Sequence, residues 1–272
     1  MNLAKEIKDS RESYANQWNF TSEFYNNKGY YEIFSAWVPS KSKILEIGCG
    51  SGYSTLELLK NSEFIHSIEE NTECIKMASE LLKINNIDHQ LILRGETLQD
   101  RNTLNYKTSY KKLSQINNSH TLIESNIVAD LELKKAISAI KYDVVTAWLI
   151  GFHKMINTST EFDSFIDNMT RSLSETTKLK FKILSSIADH AKALLKEEGF
   201  FYLIERVTDE IYENGVAENL LNTYSNTFKG FIIDRYEVID AELKSIMNMM
   251  QDGNKITKTN KMNFLRMKFV KK

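Results

Sequence analysis

The chain has 272 residues, enough for one medium-sized domain with a substantial core. Its 35 lysines and arginines against 36 aspartates and glutamates leave a formal net charge of -1, so no basic excess drives binding to a phosphate backbone. Nucleic acid is therefore not expected as a partner, and the densest basic cluster, Lys178, Lys180 and Lys182, reads as a solvated helix face. The two cysteines, Cys49 and Cys74, make neither a disulfide framework nor a metal motif, which fits a reducing compartment. No apolar run is long enough to cross a bilayer, and the opening residues 1–6 are charged rather than signal-like. A cytoplasmic protein without a membrane segment is expected.

In chain order, short apolar runs alternate with helical patterns, as in an α/β fold with a mostly parallel sheet. The single proline, Pro39, precedes a first strand over residues 43–47 (Lys-Ile-Leu-Glu-Ile), which ends at glycines. A helix follows over 54–60, a strand over 64–68, and a helix over 72–84 with Ile75, Ala78, Leu81 and Leu82 on one face. The strongest later strand covers 142–150. Then come a helix over 183–196, stopped near Gly199, a strand over 200–207, a helix over 217–228, and strands over 231–239 and 263–270. The last strands suit an antiparallel closure. Two excursions, near 88–119 and 154–180, exceed a minimal unit, and nothing marks a second domain.

The first strand leads into Glu46-Ile47-Gly48-Cys49-Gly50-Ser51-Gly52. Glycines in such a turn let backbone approach a ligand where a Cβ would clash. A dinucleotide fingerprint requires another glycine at position 53, where Tyr53 stands, so the loop suits a ligand without a pyrophosphate. The end of the second strand, Ile65-His66-Ser67-Ile68-Glu69, supplies an acid whose two oxygens can accept two ribose hydroxyls, with Glu70 as its neighbour.

Residues 43–55 resemble the first motif of class I S-adenosylmethionine (SAM)-dependent methyltransferases, and the resemblance extends over roughly residues 29–207. It implies a Rossmann-like fold: a mostly parallel seven-stranded sheet with helices on both faces, a core over 41–272, and a small N-terminal helical lid over 1–40. It implies SAM as cofactor. Glu46 then organises the methionine end, Gly48 and Gly50 shape the turn, Cys49 is a small packing residue, and Glu69 binds the ribose. Leu122-Ile123-Glu124-Ser125-Asn126-Ile127 is similar to the exit of the family's third strand, placing Asn126 and Ile127 at the adenine; Leu93-Arg94-Gly95 is a rival for that place. Residues 142–151 resemble the fourth motif, where the methyl group meets its acceptor, and put Ala147 beside the cofactor.

That fourth strand lacks Asn/Asp-Pro-Pro-aromatic, Pro-Cys and a metal-binding acid, which disfavours nucleobase amino groups, cytosine C5 and catechol-type metal chemistry. His153, just beyond it, stands where a general base is useful; a surface loop histidine is the alternative. The aromatic stretch over 14–37 offers Tyr25, Tyr30 or Trp18 as a lid on SAM, with core packing as its other use. The expectation is metal-independent methyl transfer to O or N of a small molecule. A polypeptide acceptor and a non-catalytic SAM-binding partner subunit are the alternatives.

Overall fold

A computed structural model of the protein describes residues 3–99, 106–113, 116, 119–151, 175–208, 216–243, 250–251, 254–255 and 262–272. The chain opens with α1 (Leu3–Asn27), whose buried residues Ile7, Arg11, Ala15, Trp18, Ser22 and Tyr25 recur every three or four positions and so form one stripe. Gly29, in the left-handed region, breaks α1 from the short α2 (Tyr30–Ser35). β1 (Ser42–Ile47) is buried on both faces, as the central strand of a parallel sheet must be. After it come α3 (Tyr53–Leu59), β2 (Ser62–Glu69) and α4 (Thr72–Ile84), whose N-terminus is capped by Asn71 accepting from Glu73 N at 3.0 Å.

The first excursion contains β3 (Gln90–Ile92) and a hairpin of β4 (Gly95–Gln99) with β5 (Tyr106–Tyr110). β6 (Thr121–Glu124) re-enters the sheet, α5 (Leu131–Ile137) is capped by Asp130, and β7 (Tyr142–Trp148) follows. The rest of the described chain comprises α6 (Glu175–Leu194), β8 (Leu195–Thr208), α7 (Val216–Thr227), β9 (Phe231–Leu243), the two-residue strands β10 (Met250–Gln251) and β11 (Asn254–Lys255), and β12 (Met262–Lys271).

The main sheet has the order β3-β6-β2-β1-β7-β8-β12-β9, parallel from β3 through β8, with β12 antiparallel to both of its neighbours. It has eight strands where seven were expected; the addition is β3, which pairs in parallel with β6 at the far edge. One layer of helices packs Trp18, Tyr25, Phe34 and Leu58 on one face, with Ile75, Ala78 and Leu82 of α4 beside them. The other face carries Leu133, Ile137, Leu184, Ile187, Tyr224 and Phe228 from α5, α6 and α7. The chain thus has the doubly wound, Rossmann-like arrangement.

The helix expected over 183–196 begins earlier, at Glu175, and ends at Leu194. β8 starts directly at Leu195, and its pairing with β7 jumps between Tyr142↔Leu195 and Val144↔Phe200, which absorbs Gly199 in an irregular strand entry. No helix among the described residues is long and apolar enough to cross a membrane. Strand order reverses at β1, with β2 on one side and β7 on the other, so the crevice at their carboxyl ends is where a ligand fits.

Candidate functional site

A pocket opens at that crevice. Its walls come from the exits of four strands: Ile47, Gly48 and Gly50 after β1, Ile68 to Glu70 after β2, Ser125 to Val128 after β6, and Leu149 to Gly151 after β7. Tyr14 and Trp18 of α1 close it on one side, and Ile183 and Ile187 of α6 on the other. The site is mostly apolar with a few convergent acids and amides, as ligand pockets generally are.

The glycine loop needs its glycines. Gly50 has φ +54°, and a Cβ there would run into the indole of Trp18. Gly52 has φ +92°, and a Cβ there would lie 2.8 Å from Ala78 Cα, so its absence lets α3 and α4 pack closely. The loop is tied to β2 by Gly48 N donating to Ile68 O at 2.8 Å.

Glu69 completes that tie. One carboxylate oxygen accepts from Gly50 N and the other from Asn71 N, each at 2.9 Å. Burial pushes its carboxyl up to about 7, against the lowering effect of those backbone donors. Each oxygen retains a lone pair, so the group can still accept ribose hydroxyls from the pocket side. Glu70, the next residue, accepts from Asn126 Nδ2 at 3.2 Å, while Asn126 Oδ1 takes Val128 N at 2.9 Å and fixes the turn that presents Ile127. The structure therefore brings Gly48, Gly50, Glu69, Glu70, Asn126 and Ile127 to one pocket.

Other expected contacts lie elsewhere. Glu46 does not line the pocket; its buried carboxylate accepts from Ser54 Oγ (2.5 Å), Thr55 Oγ1 (2.6 Å) and Ser67 Oγ (2.7 Å). Strand alternation points it beneath α3, where it joins β1, β2 and α3 and supports the loop from behind. Burial raises its pKa, and the three hydroxyl donors oppose that rise.

Cys49 turns into the cluster of Ile75, Ala78, Leu82 and Leu122, and burial holds its thiol well above the usual range. Ala147 is fully buried within β7, two residues before the bend at Leu149 that turns toward the pocket. Tyr25 and Tyr30 pack edge-on against Phe264, each with ring centroids 5.1 Å from it, in the core under α1. His153 lies outside the described residues.

Of the three aromatic residues offered as a lid, Trp18 lines the pocket, whereas Tyr14, Ile183 and Ile187 escape a reading of the sequence. Tyr14 and Trp18, one helical turn apart, are the aromatic residues of α1 that reach the pocket, and the Tyr14 hydroxyl stands over Gly151. Leu149 adopts φ +58°, costly by about 1–2 kcal/mol for a residue with a Cβ. Its N–H to Ile204 O at 2.8 Å and its buried side chain hold that bend, which aims Ile150 at the Gly48 backbone.

Behind the β6 exit, Glu124 accepts from Arg94 N at 2.7 Å and Gly95 N at 2.9 Å. Arg94 pairs with Asp130, which also accepts from Ser125 Oγ at 2.6 Å. Both proposed third-strand exits thus lie side by side, with the one at Asn126 facing the ligand space and the one at Arg94 bracing it.

No family model matches the chain. An uncharacterized RNA methyltransferase of Protochlamydia amoebophila is 37% identical over 68 residues, a stretch spanning 25% of this chain and 16% of that protein. Among solved structures, TYW2 of M. jannaschii in complex with AdoMet is 17% identical, with 90% of this chain and 76% of that one covered at a TM-score of 0.45. The N-methyltransferase NodS of Bradyrhizobium japonicum, in complex with S-adenosyl-L-homocysteine, is 10% identical, with 90% and 86% covered at a TM-score of 0.46. TrmN of Thermus thermophilus is 10% identical, with 89% and 48% covered at a TM-score of 0.49.

Proposed function

We propose that the protein is a SAM-dependent methyltransferase acting without a metal on an O or N atom of a small-molecule acceptor. The observation that carries the cofactor is the pairing of Glu69 with the Gly50 amide at the mouth of a positive-φ glycine loop. That arrangement offers a carboxylate for two vicinal hydroxyls beside a loop with no room for side chains. The pocket residues fit the group: Glu69 would hold the ribose, Asn126 and Ile127 the adenine, and Gly48, Gly50 and Trp18 the methionine portion.

When bound, the cofactor supplies an electrophilic methyl group on a sulfonium. The protein's part is alignment and exclusion of water. Leu149, Ile150 and Gly151 form the wall against which an acceptor is held, and Ile183 and Ile187 keep that side apolar. Tyr14 and Trp18 cover the opposite side, where an aromatic face also favours a cation. An acceptor bearing a proton gives it up to a base, and His153 is the residue proposed for that task.

The decisive measurement is release of S-adenosylhomocysteine from SAM in the presence of panels of small hydroxyl- and amine-bearing acceptors. Turnover with such an acceptor, reduced in His153→Ala, is the expected result. A second reading, an RNA acceptor, is favoured by the 68-residue similarity to a protein named as an RNA methyltransferase. Total RNA as acceptor distinguishes the two: turnover with RNA alone overturns the small-molecule reading. Micromolar SAM binding without turnover on any acceptor overturns catalysis and leaves a binding subunit.

A further inference from the structure

Arg11 lies on α1 below Tyr14 and Trp18 and does not line the pocket, yet it is 8% exposed and engaged on three sides. Its guanidinium donates to Thr108 Oγ1 on β5 at 3.3 Å and stands 3.9 Å from a carboxylate oxygen of Glu70 at the exit of β2. Its backbone carbonyl accepts from Asn71 Nδ2 at 3.0 Å, the same asparagine that caps α4. Glu70 in turn accepts from Asn126, whose loop carries Ile127 into the pocket. A continuous polar chain, Thr108–Arg11–Glu70–Asn126, thus joins the hairpin, the covering helix and the wall expected to hold the nucleoside.

We propose that Arg11 and Glu70 are positioning residues that make the docking of α1 and the geometry of the nucleoside wall one cooperative unit. Arg11 and Trp18 are seven positions apart, two turns or about 10 Å along the helix, so they share a face without touching. Loosening Arg11 frees α1 from Glu70 and lifts Trp18 off the glycine loop. Cofactor affinity then falls although Arg11 reaches no cofactor atom. The β4–β5 hairpin, which supplies Thr108, is on this account a brace for the helix rather than a wall for the acceptor.

This rests on the reading of the pocket as a SAM site, and a double-mutant cycle separates the two claims. S-adenosylhomocysteine binding is measured by calorimetry for the full chain and for Arg11→Ala, Trp18→Ala and the double variant, with Arg11→Lys and Arg11→Gln alongside. Each alanine variant is expected to weaken binding roughly tenfold, and the double variant little more than either, because both remove the same docked helix. Arg11→Lys, which keeps the cation, recovers most of the loss. Additive losses, or wild-type affinity in Arg11→Ala, overturn the cooperative unit while the SAM reading stands. Failure of the wild-type chain to bind overturns both. Should Arg11→Ala not fold, the same cycle with Arg11→Gln decides.

Discussion

The carboxylate of Glu69 and the amide of Gly50 are joined at 2.9 Å, so the acid at the end of β2 and the glycine loop after β1 move as one piece. The group proposed to take the ribose is thereby also the group that shapes the turn. Glu69→Gln replaces an acceptor-only oxygen with an amide donor facing the Gly50 or Asn71 N–H. SAM affinity is expected to fall roughly 10- to 100-fold, read by calorimetric titration.

The same carboxyl is expected to make SAM binding pH-dependent. Burial raises it to about 7 in the cofactor-free protein, and hydroxyl donors favour its ionised form. SAM affinity is therefore expected to be full above pH 7 and to weaken as pH falls through that value, by up to about tenfold per unit. Titrations at a series of pH values check this, and the slope disappears in Glu69→Gln.

Glu46 is expected to contribute to stability through its three hydroxyl partners. Its removal leaves the hydroxyls of Ser54, Thr55 and Ser67 buried without their acceptor, a loss of about 3 kcal/mol in Glu46→Ala, measured by urea unfolding. The folded pKa of Glu46 is raised, so the folded state favours the protonated form. Its contribution is full below the unfolded carboxylate value and is lost as pH rises through the folded one. Glu46→Gln is expected to flatten that part of the stability profile.

At Gly50 backbone and side-chain constraints coincide. Gly50→Ala combines a positive φ with a collision against Trp18, so the loop strains by about 1–3 kcal/mol or α1 moves away. Weaker SAM binding is expected, and Gly50→Ala costs less in a Trp18→Ala background, where the collision is gone, than in the wild-type chain. An equal cost in both backgrounds means that the backbone alone sets it.

The Arg94–Asp130 pair is buried on both sides and braces the β6 exit. Arg94→Met leaves Asp130 buried without its cationic partner, though still bonded by Ser125 and the first α5 amides, costing about 3 kcal/mol in a thermal or denaturant unfolding measurement.

Much of this site was legible because its signals are local. The turn from Gly48 to Gly52 and the acid at Glu69 sit at strand ends that apolar periodicity locates, and Asn126 and Ile127 follow the same rule. The position of Glu46 was less legible, because the period-2 alternation of β1 sends its side chain behind the loop. Tyr25 and Tyr30 lie off the pocket for another reason. Helical spacing identifies a buried stripe but not which part of it reaches the pocket, and Tyr25 lies about 10 Å farther along α1 than Trp18. β3, three residues long, has no period to detect.

The aromatic platform beneath α1 carries a consequence for how the protein is made. Phe264 of β12 receives Tyr25, Tyr30 and Phe34, and Arg266 Nη1 donates to Ile33 O across 233 residues of sequence. During synthesis α1 therefore emerges long before the surface on which it rests, and its apolar stripe waits until β12 is made. Loss of β12 is therefore expected to leave the pocket without the helix that covers it.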